Sequence, residues 1–134
     1  MSLQRPSNPE IRAKVEEALA AIAAGNCQIG PVHHLSGDFE ECSIYDEDDL
    51  WVKLPIFLQE IKAADPVMCY AGTCPPLIAV EPTLDGLELW AYHWNSDCLN
   101  CRAYLKFCIE FGQSGKPHYL HARIHPDRPF GDED

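Results

Sequence analysis

The chain has 134 residues, of which 46% are hydrophobic, and 10 basic against 21 acidic residues give a formal net charge of −11. This length suffices for one domain with its own core, so we predict a single domain over residues 1–134. A strongly acidic chain repels nucleic acid at long range, which argues against a protein that coats DNA or RNA. No run of about 18 apolar residues is present and the N-terminus has no apolar signal region, so we predict neither a membrane partner nor secretion.

The cysteine content favours a reducing compartment. Seven cysteines are present, an odd number in a chain without an evident export signal. Reduced thiols in a cytoplasm explain such a set better than a disulfide framework does. We therefore expect a cytoplasmic protein.

The N-terminal half is predicted to contain two helices. Asn8, Pro9 and Glu10 form a helix start, with a capping side chain, a first-turn proline and an acid, and Gly25–Asn26 forms the end. Between them an apolar stripe recurs at helical spacing: Ile11, Val15, Leu19 and Ile22. Residues 26–49 lack periodicity and are predicted as an irregular connection with a short strand at Ile44–Tyr45. A second helix is predicted near residues 55–64.

The C-terminal half changes from helical period to alternation. The predicted strands are Leu77–Val80, Leu87–Trp94, Arg102–Ile109 and Tyr119–His125. They predict an antiparallel sheet of three to four strands, and the two N-terminal helices must bury their stripes against one of its faces. The fold class expected is therefore α+β. Trp90, Tyr92 and Trp94 share one strand face and are predicted to lie in the core.

The last two predicted strands carry a polar face. If residues 112–117 join them as a hairpin, their apolar sides coincide and so do their polar sides, which brings together Tyr104, Lys106, His121, Arg123 and His125. Lys106 and Arg123 could bind phosphate and stabilise a transition state. The histidines or Tyr104 could move protons, and neither step needs a metal. Solvent exposure of an ordinary polar strand face is the alternative explanation, although we expect no carboxylate on this face to neutralise the bases. Lys106 and Arg123 are both predicted to point at solvent.

Three short segments of this half resemble a known family. They are Glu88–Tyr92 (ELWAY), Arg102–Phe107 (RAYLKF) and Ala122–Pro126 (ARIHP), with Pro129 downstream. Over residues 70–130 the chain resembles the C-terminal half of RelE-like mRNA interferase toxins, in particular the MqsR-type branch of bacterial toxin–antitoxin systems. The resemblance implies an endoribonuclease with RNA or the ribosome as substrate and a cognate antitoxin as partner. It also implies that four residues lie near the RNA-cleaving site: Tyr104, Lys106, Arg123 and His125.

The cysteines suggest a second hypothesis, a structural zinc site. Cys98 and Cys101 form a C-x2-C motif in a predicted turn, and Cys69 with Cys74 could supply the other two ligands. His118 or His121 is a second source of ligands. Apart from zinc, no cofactor is predicted.

The charge distribution leaves a different class of function open. Between residues 38 and 49, which we name the acidic segment, seven acids and no base occur. Such a segment suits an immunity- or antitoxin-type protein that docks on a basic nuclease and inhibits it. A non-catalytic domain with a zinc clip is the third possibility.

Overall fold

The α+β class predicted from the sequence is confirmed. The computed structural model describes residues 7–29, 35–72 and 87–127. The predicted strand Leu77–Val80 therefore lies outside the described residues. In chain order the elements are α1 (Asn8–Ala23), β1 (Cys27–Ile29), α2 (Leu35–Glu41), α3 (Glu47–Ala63), α4 (Pro66–Cys69), β2 (Trp90–Ser96), β3 (Cys101–Phe111) and β4 (Pro117–Pro126).

Helix α1 agrees with the prediction except at its cap. The capping side chain is that of Ser7, which accepts a hydrogen bond from the backbone N–H of Glu10 at 3.3 Å. Asn8 is instead the first helical residue. The helix ends at Ala23, and Gly25 follows with a φ of 77°, a conformation that glycine adopts without strain. One side of the helix is buried, through Ile11, Val15, Ala18 and Ala21.

Helix α3 begins eight residues before the predicted start at Pro55. Asp46 caps it by accepting a hydrogen bond from the N–H of Asp49 at 2.9 Å. The acids of the first turn also interact favourably with the positive end of the helix dipole. Pro55 lies inside the helix and removes one backbone donor, yet the buried side of the helix continues on both sides of it, through Leu50, Leu54, Phe57, Leu58 and Ile61. No helix within the described ranges is long and apolar enough to cross a membrane.

The segment before α3 also differs from the prediction. Residues 44 and 45 form no strand; Ile44 is buried in the core and Tyr45 is 89% exposed. The connection predicted to be irregular instead contains β1 and α2.

The sheet is mixed and has the strand order β1-β4-β3-β2. Strands β2, β3 and β4 form the predicted antiparallel meander, whereas β1 pairs in parallel with β4, Cys27 lying opposite Tyr119. The face that carries Leu105 and Phe107 shares one hydrophobic core with α1 and α3. Trp90, Tyr92 and Trp94 belong to this core, as predicted, and the Tyr92 hydroxyl donates a 2.8 Å hydrogen bond to the carbonyl oxygen of Ile11 in α1.

Candidate functional site

The face of the sheet turned away from α1 and α3, which we call the distal face, carries a row of three polar rings. Tyr104 in β3 lies opposite His93 in β2 and opposite His125 in β4. Residues that lie opposite one another in a sheet project to the same side, and Tyr104 alternates with core residues of β3. His93, Tyr104 and His125 therefore line up across three strands, and we call them the polar row.

The next row towards the β3–β4 turn contains the two predicted cations. Lys106 lies opposite Arg123, with Ala91 on its other side. The prediction that Lys106 and Arg123 share a face is therefore confirmed. Lys106 is half-buried and forms no ion pair with the described residues.

His121 does not belong to this face, so the prediction that all five candidates share one surface is wrong. A register shift follows Lys106: Lys106 lies opposite Arg123 but Phe107 lies opposite His121, which leaves Ala122 as an extra residue in β4. Such a β-bulge reverses the alternation of the bulged strand. His121 consequently projects with Phe107 into the helix-covered core, where it is 0% exposed and its Nδ1 lies 2.9 Å from the Tyr119 hydroxyl.

The burial of His121 has an electrostatic consequence. Desolvation lowers the pKa of His121 from 6.5 to about 4, and the charge of nearby Asp38 offsets only part of this effect. Its Nε2 atom has no hydrogen-bond partner among the described residues. Protonation of this ring in the folded protein is therefore unfavourable.

This histidine predicts a pH-dependent stability. Its pKa is lower in the folded protein than in the unfolded chain, so below pH 6.5 the unfolded chain binds the extra proton. Between pH 6.5 and about pH 4 the free energy of unfolding is expected to fall by about 3 kcal/mol from this group. Urea denaturation of the wild type and of His121→Asn, whose side chain does not titrate, measures the contribution. Equal pH slopes for the two proteins would contradict it.

Arg123 is buried in an ion pair with Asp38 of α2. Its Nη2 lies 2.8 Å from Oδ1 and its Nε 3.2 Å from Oδ2, and the side chains are 7% and 2% exposed. The N–H of Ile124 also donates to Oδ2 at 3.3 Å. Because β1 ends opposite His121, this N–H lies beyond the end of β1, and Asp38 supplies its acceptor.

Two expectations about Arg123 are therefore wrong. The side chain does not point at solvent, and a carboxylate does neutralise it. The carboxylate comes from α2, 85 positions away in the sequence. Lys106 consequently remains as the cation of this row that is available to a phosphate.

His93 is a candidate that the sequence analysis missed. Its Nδ1 lies 3.3 Å from Oδ2 of Asp127, and the same oxygen accepts a hydrogen bond from Nε of Arg102 at 3.0 Å. A carboxylate at one imidazole nitrogen fixes the tautomer and leaves the other nitrogen as a base. Because Trp94 was predicted to lie in the core, the alternation of β2 places the neighbouring His93 on the opposite face of the sheet. This alternation could have identified His93 as a candidate site residue.

Tyr104 and His125 form a contact pair at the other end of the row. Their ring centroids are 4.9 Å apart, and Nδ1 of His125 lies 2.7 Å from the carbonyl oxygen of Pro126. This carbonyl accepts a hydrogen bond from Nδ1–H and so fixes the ring of His125, which is 2% exposed. Tyr104 is half-buried and more accessible. The polar row thus offers a carboxylate-oriented base beside a phenol.

The cysteines of the zinc hypothesis are only partly described. Cys98 is exposed in the β2–β3 turn and Cys101 is exposed at the start of β3. Cys69 is buried at the end of α4, and Cys74 lies outside the described residues. Within the described ranges no three side chains of His, Cys, Asp or Glu come together as metal ligands. Burial and the charge of Glu60 raise the pKa of Cys98, which opposes the thiolate that zinc requires. The zinc site stays a prediction.

No protein-family model matches the chain, and neither a curated protein nor a solved structure is significantly similar to it. The resemblance to RelE-like toxins consequently stays an interpretation of three short segments.

Proposed function

We propose that this chain is a metal-independent endoribonuclease that cleaves mRNA in the manner of RelE-like toxins. The observation that supports the proposal best is the polar row. In this row Nδ1 of His93 lies 3.3 Å from the carboxylate of Asp127, and His93 lies beside Tyr104. Lys106 follows in the next row as an unpaired cation among the described residues. A base, an acid and a cation on one face are the groups that cleavage of RNA through its own 2′-hydroxyl requires.

In the proposed reaction, Nε2 of His93 removes the proton of a ribose 2′-hydroxyl. The 2′-oxygen attacks the adjacent phosphorus, and the bond between phosphorus and the 5′-oxygen breaks. The Tyr104 hydroxyl gives its proton to that leaving oxygen, while the Lys106 ammonium stabilises the charge on the phosphate. The products are a 2′,3′-cyclic phosphate and a 5′-hydroxyl. His125 is a positioning residue, because it contacts the Tyr104 ring and is itself buried.

The charge of the chain bears on the substrate. Arg123 is neutralised by Asp38, and Arg102 by Asp127, so the distal face has little positive charge with which to attract free RNA. A net charge of −11 adds repulsion at long range. We therefore propose that mRNA already held on the ribosome is the preferred substrate.

Substitution of Lys106 tests this function. Lys106→Ala is expected to reduce the rate of mRNA cleavage about 10²-fold, because it removes the cation that stabilises the phosphate charge. The matched control is Lys116→Ala, an exposed lysine of the β3–β4 turn, which should cleave like the wild type. Both variants are assayed with free RNA and with ribosome-bound mRNA, in EDTA. Equal rates for the two variants would contradict the role of Lys106, and intact RNA with the wild type in both assays would contradict the enzyme.

Inhibition of a basic nuclease is the alternative proposal. It requires a different surface, because the exposed acids lie on α2 and at the start of α3 rather than in the polar row. Addition of the chain to a basic ribonuclease would then decrease the activity of that ribonuclease.

A further inference from the structure

The outward side of α3 exposes apolar side chains that the core does not use. Among the described residues five large hydrophobic side chains are exposed, and three of them belong to this region: Tyr45 at 89%, Val52 at 67% and Ile56 at 45%. Val52 and Ile56 are four residues apart and so lie on the same side of the helix. We call the side formed by Val52, Pro55, Ile56, Gln59 and Ala63 the outer face of α3.

A shallow groove continues this face towards the end of the helix. It has a volume of about 440 Å³ and is lined by Pro55, Ile56, Gln59, Glu60 and Ala63. The carboxylate of Glu60 is engaged by other side chains of the protein. It accepts hydrogen bonds from Trp94 at 2.9 Å and from Ser96 at 2.6 Å. Although partial burial opposes ionisation, these hydrogen bonds outweigh it and lower the pKa of Glu60. The groove therefore presents mainly apolar surface.

Exposed acids that form no ion pair with the described residues occur before α3 and in its first turn. They are Glu40, Asp46, Glu47 and Asp48. The two lysines of α3 already have carboxylate partners, Lys53 with Asp49 at 2.7 Å and Lys62 with Glu16 at 2.9 Å. The field at the outer face of α3 is therefore negative.

The apolar surface and the negative charge together restrict which binding partner can cover the outer face of α3. Nucleic acid and anionic membranes carry negative charge and are repelled. A second copy of this chain is disfavoured too, because an isologous contact would bring two acidic segments together. A basic protein segment satisfies both features, since its apolar side chains can cover Val52 and Ile56 while its Lys or Arg side chains meet the acids.

We propose that the outer face of α3 docks a basic amphipathic helix of a partner protein, with apolar anchors at helical spacing and Lys and Arg on its flanks. This mode buries a helix in an apolar groove through anchors at i, i+4 and i+7. It does not depend on the ribonuclease, because the polar row lies on the distal face of the sheet.

The test uses the full chain and a synthetic probe. The probe is a peptide of about 18 residues containing Leu, Lys and Arg, long enough for a stable helix, with all Leu on one side. A scrambled peptide of the same composition has the same charge but no apolar side. We expect the amphipathic peptide to bind at least about tenfold more tightly, and NMR shift changes of the labelled chain to concentrate in residues 45–63.

Matched variants locate the contact. Val52→Ser and Ile56→Ser are expected to weaken binding about tenfold each, because an apolar anchor loses its contact area. Met68→Ser is the control, since Met68 is 77% exposed outside this face. Asp48→Asn with Glu40→Gln should weaken binding and reduce its salt dependence. Equal binding of the scrambled peptide, an equal effect of Met68→Ser, or a dimer that Val52→Ser dissociates would overturn the proposal.

Discussion

Asp38→Ala is expected to lower the free energy of unfolding by about 3–5 kcal/mol, the range found when one partner of a buried ion pair is removed. The carboxylate accepts three hydrogen bonds, two from Arg123 and one from the N–H of Ile124. Its loss leaves a guanidinium without its carboxylate at a site where only 7% of that side chain is exposed. Urea denaturation at pH 7 measures the change.

Two further variants separate this effect from a general loss of acidic charge. Glu40→Ala removes an exposed acid of the same helix and should change the stability by no more than about 0.5 kcal/mol. The double variant Asp38→Ala/Arg123→Met also removes the buried guanidinium charge that Asp38→Ala leaves without its carboxylate. It should therefore recover part of the lost free energy of unfolding. An Asp38→Ala protein as stable as Glu40→Ala would show that the ion pair is unimportant.

His93→Ala is expected to reduce the rate of RNA cleavage by about 10²–10⁴-fold, the usual contribution of a general base. His93 is only partly buried and its ring contacts Asp127 near the surface, with side-chain exposures of 33% and 22%. The substitution should therefore leave the unfolding transition nearly unchanged. Cleavage of ribosome-bound mRNA under single-turnover conditions measures the effect on chemistry.

The matched control for this variant is His118→Ala. His118 lies in β4 opposite Glu110, at the turn end of the hairpin and away from the polar row. Its loss should leave the rate unchanged. If both variants retained the wild-type rate, His93 would not be the base; if both lost activity equally, the loss would not be specific to the polar row.

The regular elements could be predicted because their physical signals are local. The apolar spacing of α1 and the alternation of β2, β3 and β4 each lie within one segment of sequence. The same alternation correctly placed Trp90, Tyr92 and Trp94 in the core. The start of α3 was missed because the acids at residues 46–49 resemble a solvated loop, although acids are also favoured in the first turn of a helix.

The arrangement of the candidate site could be predicted only in part, because two of its determinants are not local. Cross-strand pairing of Lys106 with Arg123 followed from the hairpin, but the extra residue Ala122, which turns His121 into the core, has no sequence signature such as glycine or proline. The ion pair between Asp38 and Arg123 joins residues that are 85 positions apart. Parallel pairing of β1 is equally long-range, and its three residues give no alternation to recognise.

Analysis of the cleaved RNA ends tests the proposed ribonuclease most directly. The wild-type chain is incubated in EDTA with ribosome-bound mRNA and, separately, with the same message carrying a 2′-deoxy sugar at the cleaved position. We predict a 2′,3′-cyclic phosphate and a 5′-hydroxyl from the first message, and no cut at the substituted position of the second, because the nucleophile is absent. Cleavage of the 2′-deoxy position, or activity that EDTA abolishes, would contradict the proposed acid–base site.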